Sequence, residues 1–73
     1  MPNITLAMAR RRARREFWLY RSEVILSNQR WWVYSPSQGP IGPFLWSRAR
    51  KVLREARAHL VVTLMEEEGN KHA

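Results

Sequence analysis

The hydrophobic residues of the N-terminal third recur every three or four positions, which is the period of an α-helix. They are Leu6, Ala9, Ala13, Phe17, Tyr20 and Val24. Asn3 or Thr5 offers a side-chain oxygen that suits a helix N-cap. The segments "FWLYR" and "EVIL" are instead rich in aromatic and β-branched residues, which is typical of short strands. We therefore predict a helix through residue 16 and leave residues 17–26 open between helix and strand.

The middle of the chain has the pattern of a β-hairpin. Two apolar runs, Trp31–Tyr34 and Ile41–Trp46, flank the segment "SPSQGP", whose serine, glycine and proline residues favour turns. Pro43 has no backbone N–H, so its strand is predicted to lie at a sheet edge. The strand from Arg30 to Tyr34 is then the better candidate to accept an extended peptide along its free edge.

The C-terminal part has the clearest helical pattern. One apolar face consists of Ala49, Val52, Leu53, Ala56, Leu60 and Leu64. Ser47 is predicted as its N-cap and Gly69 as its C-terminal cap. We expect a small α+β fold, with a basic N-terminal helix or arm over residues 1–16, a globular core over 17–65 and an acidic, disordered tail over 66–73.

The 73-residue chain has a net charge of +7, and the charge is unevenly spread. Residues 1–65 contain twelve Lys or Arg against three Glu, whereas residues 66–73 contain three Glu and one Lys. Arg48, Arg50 and Lys51 crowd the start of the C-terminal helix, where the helix dipole favours acids. Positive charges at these positions lower the stability of the helix. We therefore predict that they bind an anionic partner, and a role in solubility is the alternative.

The run "RRRARRE" is the strongest chemical feature. On a helix, arginine forks can follow a phosphate backbone with bidentate hydrogen bonds. We therefore predict nucleic-acid contact, with a solvated helix face as the alternative, and we place Trp18 in the core. The predicted nucleic-acid-binding residues are Arg10, Arg11, Arg12, Arg14 and Arg15.

The residues needed for catalysis are scarce. The chain has no Asp and no Cys, and its only histidines are His59 and His72. We interpret His59 as a satisfied or solvated histidine in the middle of a helix, without a paired carboxylate, and His72 as a residue of the tail. The segment "GPIGP" has prolines where a phosphate-binding loop needs free N–H groups. We expect no enzymatic activity, no cofactor, no metal site and no small-molecule substrate.

Two resemblances extend this interpretation. The run at Arg10–Arg15 resembles the arginine-rich RNA-binding helix of the lambdoid phage N antiterminators, which implies binding to a hairpin RNA. Over its whole length, "MARRRARREFW … WWVYSPSQGPIGPFLWSRARKVLREA" resembles the small RNA-polymerase-binding regulators of lytic Xanthomonas phages. That resemblance implies binding to the host polymerase, inhibition of host transcription initiation and readthrough of terminators, in the cytoplasm of the bacterial host.

A protein-binding surface is predicted from the residues themselves. Arg50, Arg54 and Arg57 follow helical spacing and should form a continuous basic ridge. Trp32 and Tyr34 alternate with Trp31 and Val33, and we predict that the first pair faces outward. The protein is expected to act as a monomer. The predicted protein-binding residues are Trp32, Tyr34, Ser47, Arg48, Arg50, Arg54 and Arg57.

Overall fold

The computed structural model describes residues 3–22 and 30–71 and confirms the α+β fold. The C-terminal helix packs on a three-stranded antiparallel sheet, in which the strands lie side by side in chain order, and the N-terminal helix packs on the C-terminal helix. The elements along the chain are α1 (Leu6–Glu16), β1 (Trp18–Ser22), β2 (Arg30–Ser35), β3 (Gly39–Phe44) and α2 (Trp46–Lys71). Neither helix of the described ranges is long and apolar enough to cross a membrane.

Helix α1 begins and ends as its sequence predicts. The Thr5 hydroxyl is the N-cap and accepts a hydrogen bond from the Met8 N–H at 3.2 Å. At the other end, Phe17 is already extended and its N–H donates to the Ala13 carbonyl at 3.0 Å. Ala9, Ala13 and Phe17 are buried. Their small or flat side chains let α1 pack closely on α2.

The ambiguous segment after α1 is a strand over Trp18–Ser22, whereas residues 23–26 lie outside the described residues. β1 pairs with β2 in a regular antiparallel register, with Leu19 opposite Val33. β2 is therefore the central strand of the sheet, with neighbours on both sides. The predicted free edge at Arg30–Tyr34 is wrong, because β1 already occupies its hydrogen-bonding groups.

Strand β3 forms one edge of the sheet, as the missing N–H of Pro43 predicted. Its pairing with β2 is interrupted between Trp31 and Val33, where β3 has one extra residue. Gly42 lies within this irregularity with φ of 154°, and the Gly42–Pro43 peptide bond is cis. A β-carbon at Gly42 would approach the Trp31 carbonyl oxygen to 3.0 Å, so glycine allows the close contact of the two strands.

Helix α2 departs from its predicted ends. It begins at Trp46, not after a Ser47 cap, because the Ala49 N–H already donates to the Leu45 carbonyl at 2.8 Å. The strand prediction that included Trp46 is wrong for the same reason. Gly69 lies within the helix, which continues to Lys71. The predicted disorder is therefore wrong for residues 66–71, where glutamate, a good helix former, sustains the helix.

The core lies between the sheet and the helices. Val33 and Ala49 are fully buried, and Leu64 anchors the distal part of α2. Ser35, also fully buried, donates a hydrogen bond from its hydroxyl to Glu16 Oε1 at 3.2 Å. The Ser37 hydroxyl donates to the same carboxylate oxygen at 3.2 Å. Glu16 thus joins the end of α1 to the β2–β3 turn.

Candidate functional site: a basic helix end and an aromatic sheet face

The first turns of α2 form an exposed basic surface. Its members, which we call the α2 basic surface, are Trp46, Ser47, Arg48, Arg50, Lys51 and Arg54, and each is exposed. All of them except Arg48 line one shallow depression. No acidic residue is present in the first turn of the helix, so the positive side chains add to the positive end of the helix dipole.

Trp46 is the aromatic centre of this surface. Its ring lies 4.5 Å from the ring of Trp31, at an angle of 55°, so the sheet holds it in place. The guanidinium carbon of Arg50 lies 5.7 Å from the centroid of the Trp46 ring. This distance is within the range of a cation–π contact. A tryptophan that remains 47% exposed beside a stacked arginine provides both apolar area and charge for a partner.

The predicted basic ridge is present, but its three members differ. Arg50, Arg54 and Arg57 line one cleft, together with Leu19 and Leu53. Arg50 and Arg54 are exposed, whereas Arg57 is half-buried. Arg57 donates two hydrogen bonds to the Phe17 carbonyl oxygen, at 3.1 Å from Nε and 2.7 Å from Nη2. Arg57 therefore has a structural contact that the sequence did not reveal.

The electrostatic environment of Arg57 agrees with this location. Burial lowers the pKa of its guanidinium, and the positive charge of Arg14 lowers it further. An arginine remains charged at neutral pH in either case, so the Phe17 carbonyl receives charge-assisted hydrogen bonds.

The arginines of α1 are available to a partner. Arg10, Arg11, Arg12, Arg14 and Arg15 are all exposed. Within the part of the chain that the structure describes, none of these five side chains has a hydrogen bond or an ion pair. The buried alanines turn one side of α1 towards α2, with Arg10 and Arg14 at the groove between the two helices.

The second candidate surface is the face of the sheet that points away from the helices. Val33 and Ser35 are fully buried, so alternation places Trp32 and Tyr34 on the opposite face of β2. In the β1–β2 register Trp18 lies opposite Tyr34, and Tyr20 lies opposite Trp32. We call these four residues the aromatic face. Trp18 is 38% exposed, so its predicted position in the core is wrong.

The structure divides the predicted protein-binding residues between two sides of the molecule. Ser47, Arg48, Arg50 and Arg54 lie together on α2, on the side of the sheet that the helices cover. Trp32 and Tyr34 lie on the other side of the sheet. A single compact partner surface therefore cannot contact all of them, and each group needs its own interpretation.

Sequence reasoning missed four residues of these surfaces: Trp18, Tyr20, Trp46 and Lys51. Tyr20 and Trp18 occupy alternate positions of "WLYRS", and this period of two was the available signal for a strand face. Trp46 directly precedes Ser47, but its assignment to a strand hid its place at the helix start. Lys51 was noticed only as a charge that opposes the helix dipole.

Comparison of the chain with protein-family models, with curated proteins and with solved structures gives no match.

Proposed function

We propose that this protein is a non-catalytic transcription regulator that binds bacterial RNA polymerase through the α2 basic surface. In this proposal it inhibits initiation at host promoters and promotes readthrough of terminators, as a monomer in the cytoplasm of the bacterial host. The sequence resemblance to small phage regulators supports polymerase as the partner. The exposed Trp46–Arg50 pair carries the proposal for the location of the contact.

Trp46 and the arginines of the α2 basic surface are the residue types that dominate protein–protein binding. Tryptophan and arginine are enriched among the residues that dominate binding energy, whereas lysine and glutamate are depleted. Trp46 is fixed by Trp31 at 4.5 Å before any partner arrives, so little side-chain entropy is lost on binding. An acidic surface of a polymerase subunit would complement the surrounding arginines.

The cost of these charges to the helix also supports a binding role. Arg48 and Arg50 lie where the dipole of α2 disfavours cations. Each unfavourable charge costs about 0.3–1 kcal/mol at a helix end. Arg50 recovers part of this cost through its cation–π contact with Trp46, whereas Arg48 has no such contact among the residues that the structure describes. Positions that violate a local rule are expected at functional sites.

The runner-up function is direct nucleic-acid binding through α1, without polymerase. The exposed arginines Arg10, Arg11, Arg12, Arg14 and Arg15, which lack partners among the described residues, favour it. Phosphate binding through such a helix needs no other part of the fold.

Affinity capture from a nuclease-treated bacterial lysate distinguishes the two functions. We expect stoichiometric recovery of polymerase subunits by the wild-type chain. Arg50→Glu combined with Arg54→Glu should abolish recovery, whereas Arg11→Glu with Arg12→Glu changes the net charge by the same amount and should retain it. If nuclease removes every partner, or if both double variants fail equally, polymerase docking at α2 is wrong.

A further inference from the structure

The aromatic face has no role in the proposed polymerase contact. It lies on the side of the sheet opposite α2, and no described helix covers it. Tyr20 is 57% exposed and Trp18 is 38% exposed. Large aromatic side chains at these positions on both paired strands are unusual for a solvated sheet face, where polar residues normally alternate with core residues. This surface therefore requires an occupant.

The rings of the aromatic face are held in position by the sheet. Trp18 and Tyr34 are in contact, with ring centroids 4.8 Å apart and an angle of 50° between the rings. Trp32 lies over Gly42, because a β-carbon at Gly42 would come within 3.1 Å of Cε3 of its indole. Tyr20 lies opposite Trp32 in the β1–β2 register, so it is on the same face of the sheet. The members of the aromatic face are positioned before a ligand binds.

The charge of the sheet identifies the kind of ligand. The three strands contain two charged residues, Arg21 and Arg30, and no carboxylate. Alternation along β2 places Arg30 on the same face as Trp32 and Tyr34. The arginine-rich helix α1 ends at Glu16, two residues before Trp18. Aromatic rings on a sheet whose strands carry arginine and no carboxylate complement a ligand that combines flat rings with anionic groups.

We propose that the aromatic face binds single-stranded nucleic acid, with unpaired bases stacked on Tyr20 and Trp18. Arg30 and the arginines of α1 neutralise the phosphates of the same strand. Base stacking on aromatic side chains tolerates any sequence, because every base has a π-face. A duplex hides these faces, so the surface discriminates against paired strands. The aromatic face and the α2 basic surface lie on opposite sides of the sheet, so one molecule can bind a strand and a protein together.

The test measures binding of the full chain to labelled oligonucleotides of about 12 nucleotides, within the usual range of such sites. The three probes are oligouridine, oligothymidine and a blunt duplex. We expect both single strands to bind more tightly than the duplex and to quench tryptophan fluorescence. Preference for oligouridine identifies RNA as the ligand, whereas equal affinity shows that binding does not depend on the 2′-hydroxyl group of the sugar. Both results support the proposal.

Variants separate stacking from charge. Tyr20→Leu keeps an apolar side chain but removes the ring, and we expect single-strand affinity to fall about 5- to 100-fold. Tyr20→Phe should retain the affinity, and Trp18→Phe should retain affinity while it reduces the quenching. Leu45→Ala, at another exposed apolar residue, is the matched control and should have no effect. The far-UV spectrum of each variant verifies its fold.

Two results would overturn the proposal. If duplex and single strands bind equally and Tyr20→Leu has no effect, binding is electrostatic and the rings are not used. If Tyr20→Leu leaves nucleic-acid binding intact but abolishes capture of polymerase, the aromatic face is a protein interface. Polymerase capture by Arg50→Glu with Arg54→Glu is measured separately, so the proposed function can fail while this inference holds.

Discussion

The Arg57 side chain donates two hydrogen bonds to the main-chain carbonyl oxygen of Phe17, at 3.1 Å from Nε and 2.7 Å from Nη2. Phe17 is the single residue between α1 and β1, and forty positions separate it from Arg57. The contact therefore fixes the junction of the first helix and the sheet to the middle of α2. It also removes Arg57 from the set of arginines that are free to bind a partner.

We predict that Arg57→Ala destabilises the protein by about 1–3 kcal/mol, because the half-buried Phe17 carbonyl loses both donors. Arg57→Lys should recover only part of this loss, since an ammonium group lacks the planar fork. Urea unfolding measures both changes. Arg54→Ala is the matched control, because Arg54 is exposed, and it should change stability by less than about 0.5 kcal/mol. Equal effects at the two positions would contradict a structural role for Arg57.

Glu16 provides a second link between distant parts of the chain, which a double-mutant cycle can measure. Ser35→Ala should cost about 1–2 kcal/mol, because its fully buried hydroxyl donates to Glu16 Oε1. Ser37→Ala, whose hydroxyl donates to the same oxygen from an exposed residue, should cost less. In the Glu16→Ala background, which removes the acceptor, Ser35→Ala should be less costly than in the wild type. Additive effects in the cycle would show that the two residues do not interact.

We predict that the arginine run of α1 attracts nucleic acid and does not contribute to the folding stability of the protein. All five arginines are exposed, so their simultaneous change to Gln should leave thermal unfolding nearly unchanged. Fewer phosphates would be neutralised, so the salt dependence of oligouridine binding should flatten by about 0.7 in logarithmic slope for each lost contact. A large fall in the melting temperature would indicate that the arginines support the packing of α1 on α2.

Much of the fold can be predicted from local sequence, whereas strand β1 cannot. The period of Ala9, Ala13 and Phe17 predicts α1 correctly, and the Thr5 oxygen predicts its start. Tyr20 fits this helical series and also the period of two that begins at Trp18. Local pattern cannot choose between them. The choice is made by non-local pairing with β2, whose aromatic residues lie opposite those of β1.

The ends of α2 were mispredicted because tertiary contact and helix continuity outweigh local cap preferences. Ser47 is a good cap residue, but the packing of Trp46 on Trp31 draws the helix start to Trp46. Gly69 destabilises the helix by about 1 kcal/mol relative to alanine, and the many other hydrogen bonds and contacts of a long helix outweigh this loss. The composition of the candidate site was predictable from its arginines and aromatic residues. Its division between two sides of the sheet was not, because the position of α2 decides which face is covered.

The charges at the start of α2 predict a trade between stability and binding. Arg48→Glu places an acid at the positive end of the helix dipole and should stabilise the protein by about 0.3–1 kcal/mol. The same change should weaken capture of polymerase, because Arg48 belongs to the α2 basic surface. Arg48→Gln separates loss of the cation from gain of the anion and should give an intermediate stability. A gain in stability with unchanged capture would remove Arg48 from the proposed interface.

A series of three glycine substitutions tests how the sheet holds Trp32. Gly69→Ala adds a β-carbon in open space within α2 and should stabilise the protein by about 0.5–1 kcal/mol. Gly39 also has open space, but its φ of 74° strains any other residue, so Gly39→Ala should cost about 1 kcal/mol. Gly42 combines φ of 154° with contacts of 3.0 Å to the Trp31 carbonyl oxygen and 3.1 Å to the Trp32 ring.

Gly42→Ala should therefore be the most destabilising of the three, at about 1–3 kcal/mol, because both strain and crowding oppose the new methyl group. It alone should also alter the near-UV circular dichroism of tryptophan, because the Trp32 indole must move away from β3. Since Trp32 is itself a member of the aromatic face, oligouridine affinity should fall when its indole moves, whereas Gly39→Ala should leave affinity unchanged. Equal losses of stability at Gly39 and Gly42, with an unchanged near-UV spectrum, would mean that Trp32 does not depend on the glycine beneath it.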